Sequence, residues 1–168
     1  MKDSGKRTRF ETGAEREILD EKGRCDLIYN KAWGELINND IYTKIEEFVR
    51  TGNVQLIYDV LHKFIKCNCV DYESAYLDLA KHYAEGAKKY SDRNMEKGLP
   101  FHSMIDSALR HYTKFLRGDL DECHDRAFLW NLITLLYMID NHPELNDLPY
   151  KEEMKWTKYY LIRWWLLV

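Results

Sequence analysis

The sequence predicts an all-α, single-domain multi-helix bundle, and three observations predict it. Apolar residues recur at three- and four-residue spacing through most of the chain, the period of a helix face rather than of a strand. Leucine, lysine and glutamate are plentiful while proline occurs three times in 168 residues, so little interrupts a helix once begun. Short stops such as Thr51-Gly52-Asn53 and Lys97-Gly98-Leu99-Pro100 separate the periodic runs. An apolar fraction of 45% beside 32% charged residues suffices for a buried core and excludes a chain disordered through most of its length.

Residues 1–26 read as a basic arm carrying Lys6, Arg7, Arg9, Arg16 and Arg24, with one short helix expected near Ala14–Asp20. The arm is either a solvated terminus or a source of arginine forks for phosphates, with Arg16 and Arg24 as candidate ligand contacts. Residues 27–149 read as a helical core. Trp33, Leu36 and Ile37 share one helical face, and Ile41, Ile45, Phe48 and Val49 another, with Asp40 available as N-cap. Leu56 to Phe64 mark a further amphipathic helix, and Asp71 caps one that runs to Tyr90. A helix over 101–117 ends at Gly118. The next is capped by Asp119 or Asp121 and runs to about Asp140; its centre, AFLWNLITLLYMI, is apolar nearly all round and belongs in the middle of the core. Residues 150–168 read as an aromatic C-terminal helix with Trp156, Trp164 and Trp165, docked on the same core or on a second copy, which makes a homo-oligomer the expected assembly.

The formal net charge of −3 weighs against a protein that coats a nucleic-acid polymer. No run approaches the roughly 20 apolar residues of a membrane span, and the N-terminus has no apolar signal core. The four cysteines include a Cys67-x-Cys69 pair that lacks a zinc-knuckle gap, and they read as reduced thiols of a cytoplasmic protein.

Polar residues concentrate between His82 and Asn131. Mixed acids, bases and amides on apolar helices suit a polyanionic ligand, with or without a metal. On a helix, Glu122 and Asp125 lie three residues apart and present two carboxylates on one face, a pattern that serves Mg²⁺ or simply complements a helix dipole. Glu85 is the candidate third carboxylate, next to Gly86-Ala87 where a helix could approach closely; otherwise it pairs with a nearby lysine. Asn131 sits inside the apolar run, where an unpartnered amide costs about 1–3 kcal/mol. Its candidate partners are His124, seven residues back, or a ligand's base or ribose; a core amide that fixes helix register is the alternative. Arg93, Asn94, Arg110, His111 and Lys114 supply the donors and positive charge for phosphates. Arg110 follows Asp106 by four, so the two form an intrahelical ion pair that, if buried, aims the guanidinium at a ligand. The histidine spacing makes no metal triad, and there is no Walker loop and no GxGxxG.

The strings KDSGKRTRFETGA (2–14), EKGRCDLI (21–28), HYAEGAKKYSDRNMEKGLP (82–100), IDSALRHYTKFLRG (105–118) and DECHDRAFLWN (121–131) together resemble a phage and prophage family, the dATP/dGTP diphosphohydrolase N-terminal domain. The resemblance covers roughly residues 2–149. It implies kinship with MazG-like all-α nucleotide pyrophosphohydrolases, helical oligomers that bind Mg²⁺ through an ExxE and an ExxD pair and split a nucleoside triphosphate into monophosphate and pyrophosphate. Glu122-Cys123-His124-Asp125 matches ExxD, whereas Glu85 has His82 three before it and Lys88 three after, so the first pair is incomplete. Two functions follow from the resemblance. In one, Glu85, Glu122 and Asp125 hold Mg²⁺ for cleavage of a purine nucleotide. In the other, a non-catalytic phage sponge sequesters a nucleotide immune signal of the cyclic ADP-ribose or cyclic dinucleotide type. Either places the protein in the cytoplasm of an infected bacterium.

Overall fold

The computed structural model describes residues 5–18 and 22–150. The chain opens as a hairpin of β1 (Arg7–Arg9) and β2 (Glu15–Glu17), antiparallel, with Arg7 opposite Glu17 and Arg9 opposite Glu15. The short helix expected near Ala14–Asp20 is therefore a strand. The reason is a partner distant in sequence: the Asn94 side chain accepts from Glu15 N (3.1 Å) and donates to Glu15 O (2.8 Å), acting as one more strand neighbour. A lone helical turn would bear its nucleation cost without that return.

Among the described residues six α-helices follow: α1 (Asn30–Leu36), α2 (Asp40–Thr51), α3 (Gln55–Asn68), α4 (Tyr72–Tyr90), α5 (Phe101–Arg117) and α6 (His124–Asn141). The all-α multi-helix fold is as the sequence predicts, with the small hairpin as the addition. Asn39, not Asp40, caps α2, its Oδ1 accepting from Ile41 N at 3.1 Å. Asp71 caps α4 as expected, accepting from Ser74 N at 2.6 Å. At α6 neither Asp119 nor Asp121 caps the helix. Both acids lie in the preceding loop, Asp119 gripped by Arg117 and Asp121 by Lys114, and helix begins only at His124. Glu122 thus precedes the helix, and the expected helical pairing of Glu122 with Asp125 does not form.

The core is an aromatic cluster. Phe64 of α3 meets Phe128 of α6 at 4.7 Å between ring centroids, Phe115 of α5 at 5.2 Å and Tyr112 of α5 at 6.0 Å, and Tyr42 of α2 joins through Tyr112. Burying each such ring is worth about 1.5–3 kcal/mol. α6 is the central helix that its apolar run predicts, with Phe128, Leu132, Leu135 and Met138 fully enclosed. Trp33, Leu36 and Ile37 stay largely exposed, because α1 packs on α2 through Gly34, where a Cβ would come within 2.7 Å of Asn39 O and Thr43 Oγ1. α5 and α4 both lean on α6, and the space between α4 and α5 is left to a cleft. The aromatic tail beyond Tyr150 lies outside the described residues. Among the described residues no helix is long and apolar enough to cross a membrane, and all four cysteines are free thiols.

Candidate functional site

The cleft holds about 810 Å³ between α4, α5, α6, the 93–96 turn and strand β2. That is large enough for a nucleotide-sized ligand. Gly86 and Ala87 of α4 line it; a Cβ at Gly86 would meet nothing within 4 Å. The small residues of α4 therefore open space for a ligand and do not seat a neighbouring helix.

Strand β2 delivers Arg16 into this cleft. Its Nη1 donates to Ser103 O at 2.8 Å and Ser103 Oγ at 3.2 Å, and its Nη2 donates to Asn131 Oδ1 at 2.9 Å. The guanidinium lies 5.8 Å from the ring centroid of Trp130. Burial pushes its pKa down to about 10, so the group keeps its charge at neutral pH. Asn131 is buried in α6, and its Nδ2 donates to Ala127 O at 2.7 Å. The partner that this amide requires is Arg16, not His124.

Arg110 is the second fixed cation. Its Nη2 donates to Asp106, which is fully buried and also accepts from Cys25 N at 2.7 Å. The Nε of Arg110 is buried and has no hydrogen-bond partner among the described residues. A charged donor left over in a cleft wall is an offer to an acceptor that is not part of the chain.

Below Arg110 a chain of polar groups runs along the wall. Lys114 Nζ donates to Asp121 Oδ2 at 2.9 Å, Asp121 Oδ1 accepts from His124 Nε2 at 2.9 Å, and His124 Nδ1 lies 3.0 Å from His111 Nδ1. Hydrogen bonds from Lys114 and His124 hold the Asp121 carboxyl well below the usual carboxylate range. Burial, with His124, Arg110 and Arg16 nearby, holds His111 well below the usual histidine value, so its imidazole is neutral at pH 7. Glu122 lies beside the two imidazoles, with one ligating atom from each of the three residues within 4.8 Å of the others.

Of the residues singled out from sequence, the cleft brings together Arg16, Arg93, Asn94, Arg110, His111, Lys114, Glu122 and Asn131. Asp106 and His124 stand one layer behind, orienting Arg110 and His111 respectively. Asn94 spends its amide on the arm. Arg24 lies outside, chelated by Asp26 on the surface. Glu85 turns to Arg126 at 3.5 Å, and among the described residues neither it nor Asp125 belongs to a group close enough to share an ion with Glu122. A Mg²⁺ cage of Glu85, Glu122 and Asp125 therefore does not fit this arrangement. Sequence reasoning missed Trp130, Tyr83 and Tyr90 as cleft walls and His82 beside them, its ring 5.8 Å from that of Trp130. Their only signal was adjacency: Trp130 precedes Asn131, and His82 to Tyr90 bracket the small pair of α4.

No curated protein and no solved structure matches this chain. A family model does: dATP/dGTP diphosphohydrolase, N-terminal, over residues 62–148. The match spans just over half of the 168 residues and includes α4, α5 and α6, the three helices that wall the cleft. The chain belongs to the dATP/dGTP diphosphohydrolase N-terminal family.

Proposed function

We propose that the cleft binds a purine nucleotide and that the protein is a pyrophosphohydrolase-like member of its family, acting on a triphosphate such as dATP or dGTP. The observation that carries the binding step is the unpartnered Nε of Arg110, held in the wall by a fully buried Asp106. A phosphate oxygen is the acceptor that suits it, because a guanidinium offers parallel donors that match phosphate geometry. Arg16 and Lys114 add charge on the same side, and the faces of Trp130, Tyr83 and Tyr90 offer stacking area for a base. Arg93, at the exposed rim, pairs with Glu96 and can be recruited when a ligand arrives.

A specific observation also favours retention without cleavage. Glu85 is engaged by Arg126 and does not meet Glu122, so the carboxylate cage of a pyrophosphohydrolase is not assembled. In that reading the same cleft sequesters a nucleotide signal. Self-association is part of the proposal; Leu27, Trp33 and Leu36 remain exposed as surface for a second copy.

The test is incubation of the full chain with dATP or dGTP and divalent cations, followed by chromatography of products and calorimetry of binding. Monophosphate with pyrophosphate supports cleavage. Binding without products, with intact nucleotide released on denaturation, supports retention. Arg110→Lys keeps a charge beside Asp106 but loses the fork, and should weaken binding roughly 10-fold or more. No binding by wild type, or unchanged binding by Arg110→Lys, rejects the site.

A further inference from the structure

We propose that His111, His124 and Glu122 form a site for a divalent transition-metal ion in the wall of the cleft, with Asp121 orienting His124. His111 comes from α5, Glu122 from the loop leading into α6 and His124 from the first turn of α6, and their ligating atoms lie within 4.8 Å of one another.

The two imidazoles share a hydrogen bond, at a spacing near that of two ligands of one ion. Two nitrogens about 2.1 Å from one ion stand about 3.4 Å apart at the tetrahedral angle of a zinc site and about 3.0 Å apart at right angles. The Nδ1 atoms of His111 and His124 are 3.0 Å apart. A ligating histidine commonly donates its other ring N–H to a carboxylate, which fixes the tautomer and aims the lone pair. His124 does so: Asp121 Oδ1 takes its Nε2–H at 2.9 Å, and Lys114 anchors Asp121 from the far side. That leaves Nδ1 of His124 directed at His111.

The third ligand is uncommitted. The Glu122 carboxylate makes no hydrogen bond or ion pair among the described residues, although Arg110 is close enough to feel its charge. A competing group, Asp119 with Asp121 and His124, is also compact. There, however, Asp119 is gripped by Arg117 and Asp121 by Lys114, so both carboxylates are already neutralised. His111 and Glu122 both face the cleft, which leaves open coordination positions toward a bound ligand.

The donor set names the class of ion. Mg²⁺ prefers oxygen throughout, whereas two imidazoles and a carboxylate suit Zn²⁺, Mn²⁺, Fe²⁺ or Co²⁺. The site goes beyond the nucleotide reading and does not depend on it.

The experiment uses the full chain stripped with chelator, without nucleotide. Zn²⁺ and Co²⁺ are titrated by calorimetry, and Co²⁺ also by visible absorption. We expect one ion per chain, a ligand-field spectrum for Co²⁺, and no displacement by excess Mg²⁺. Glu122→Gln and His111→Gln should each weaken binding at least 10-fold, and Asp121→Asn by about 10- to 100-fold as an orienting partner. Because the Glu122 carboxylate supports no fold contact, Glu122→Gln decides the matter if His111→Gln does not fold. The proposal is overturned if wild type binds neither ion stoichiometrically, or if folded Glu122→Gln binds as wild type does. In either case nucleotide binding, measured separately, still reports on the other site.

Discussion

Arg16 and Asn131 are 115 positions apart, yet Arg16 Nη2 donates to Asn131 Oδ1 at 2.9 Å. This single bond ties the N-terminal hairpin to the central helix and sets one wall of the cleft. Asn131→Leu removes the acceptor and leaves a charged donor against an apolar side chain. The expected cost is about 1–3 kcal/mol, read as a lower denaturant midpoint. Faster proteolysis within the hairpin should accompany it. Unchanged stability and protease resistance would mean that Ser103 and Asn94 hold the arm without Asn131.

Asp106 is fully buried and serves Arg110 and the Cys25 backbone N–H together. Asp106→Ala strands a buried guanidinium and a backbone donor at once. Breaking a buried pair from one side typically costs about 3–5 kcal/mol, and urea unfolding measures it. Asp106→Asn keeps the shape and one acceptor oxygen but turns an NH2 toward the other donor, so it should recover only part of the loss seen with the alanine. Equal losses from the two variants would show that the charge and the pair of acceptor oxygens, not the shape, are what Asp106 supplies.

Two helical glycines should respond oppositely to alanine. Gly86→Ala points a methyl into the open cleft and relieves the helix of its glycine, so a gain of roughly 0.5–1 kcal/mol is expected. Gly34→Ala drives a methyl to 2.7 Å from Asn39 O and Thr43 Oγ1 and should destabilise. Thermal melts of the pair check both signs. Gly86→Phe should keep the fold and abolish nucleotide binding by filling the cleft.

Burial, with Arg126 nearby, pushes the His82 imidazole down to about 4 from its usual 6.5. Between those values the unfolded chain carries a proton on this ring and the folded protein does not. The unfolded state therefore binds more protons, and stability falls as pH drops from 6.5 to about 4, with no further contribution below that. The share due to His82 is on the order of 3 kcal/mol. Urea midpoints at pH 7 and pH 4.5 should converge in His82→Leu relative to wild type; an unchanged slope would assign the acid sensitivity to other groups.

Much of the helical framework is legible without coordinates, and for a local reason. The 3.6-residue period, Asp71 as a cap and Gly52 and Gly118 as stops are all written within a few residues of where they act. The buried centre of α6 follows from an apolar run too long to leave one face in water. The hairpin was not legible, because the groups that make it a strand belong to Asn94. The start of α6 is hidden for a similar reason: Asp119 and Asp121 look like caps until Arg117 and Lys114 claim them.

The site divides along the same line. Composition and spacing mark which stretch is polar within an apolar scaffold, and they put Arg16, Arg93, Asn94, Arg110, His111, Lys114, Glu122 and Asn131 among the candidates, all of which line one cleft. Their partners come from contacts between distant elements: Arg16 with Asn131, Glu85 with Arg126, and His111 with His124 beside Glu122. Spacing along a chain reports which side chains share a face of one helix. Which faces meet is settled by how the aromatic core packs α3, α5 and α6 together, and that packing carries His111 to His124 across a helix boundary that no periodicity encodes.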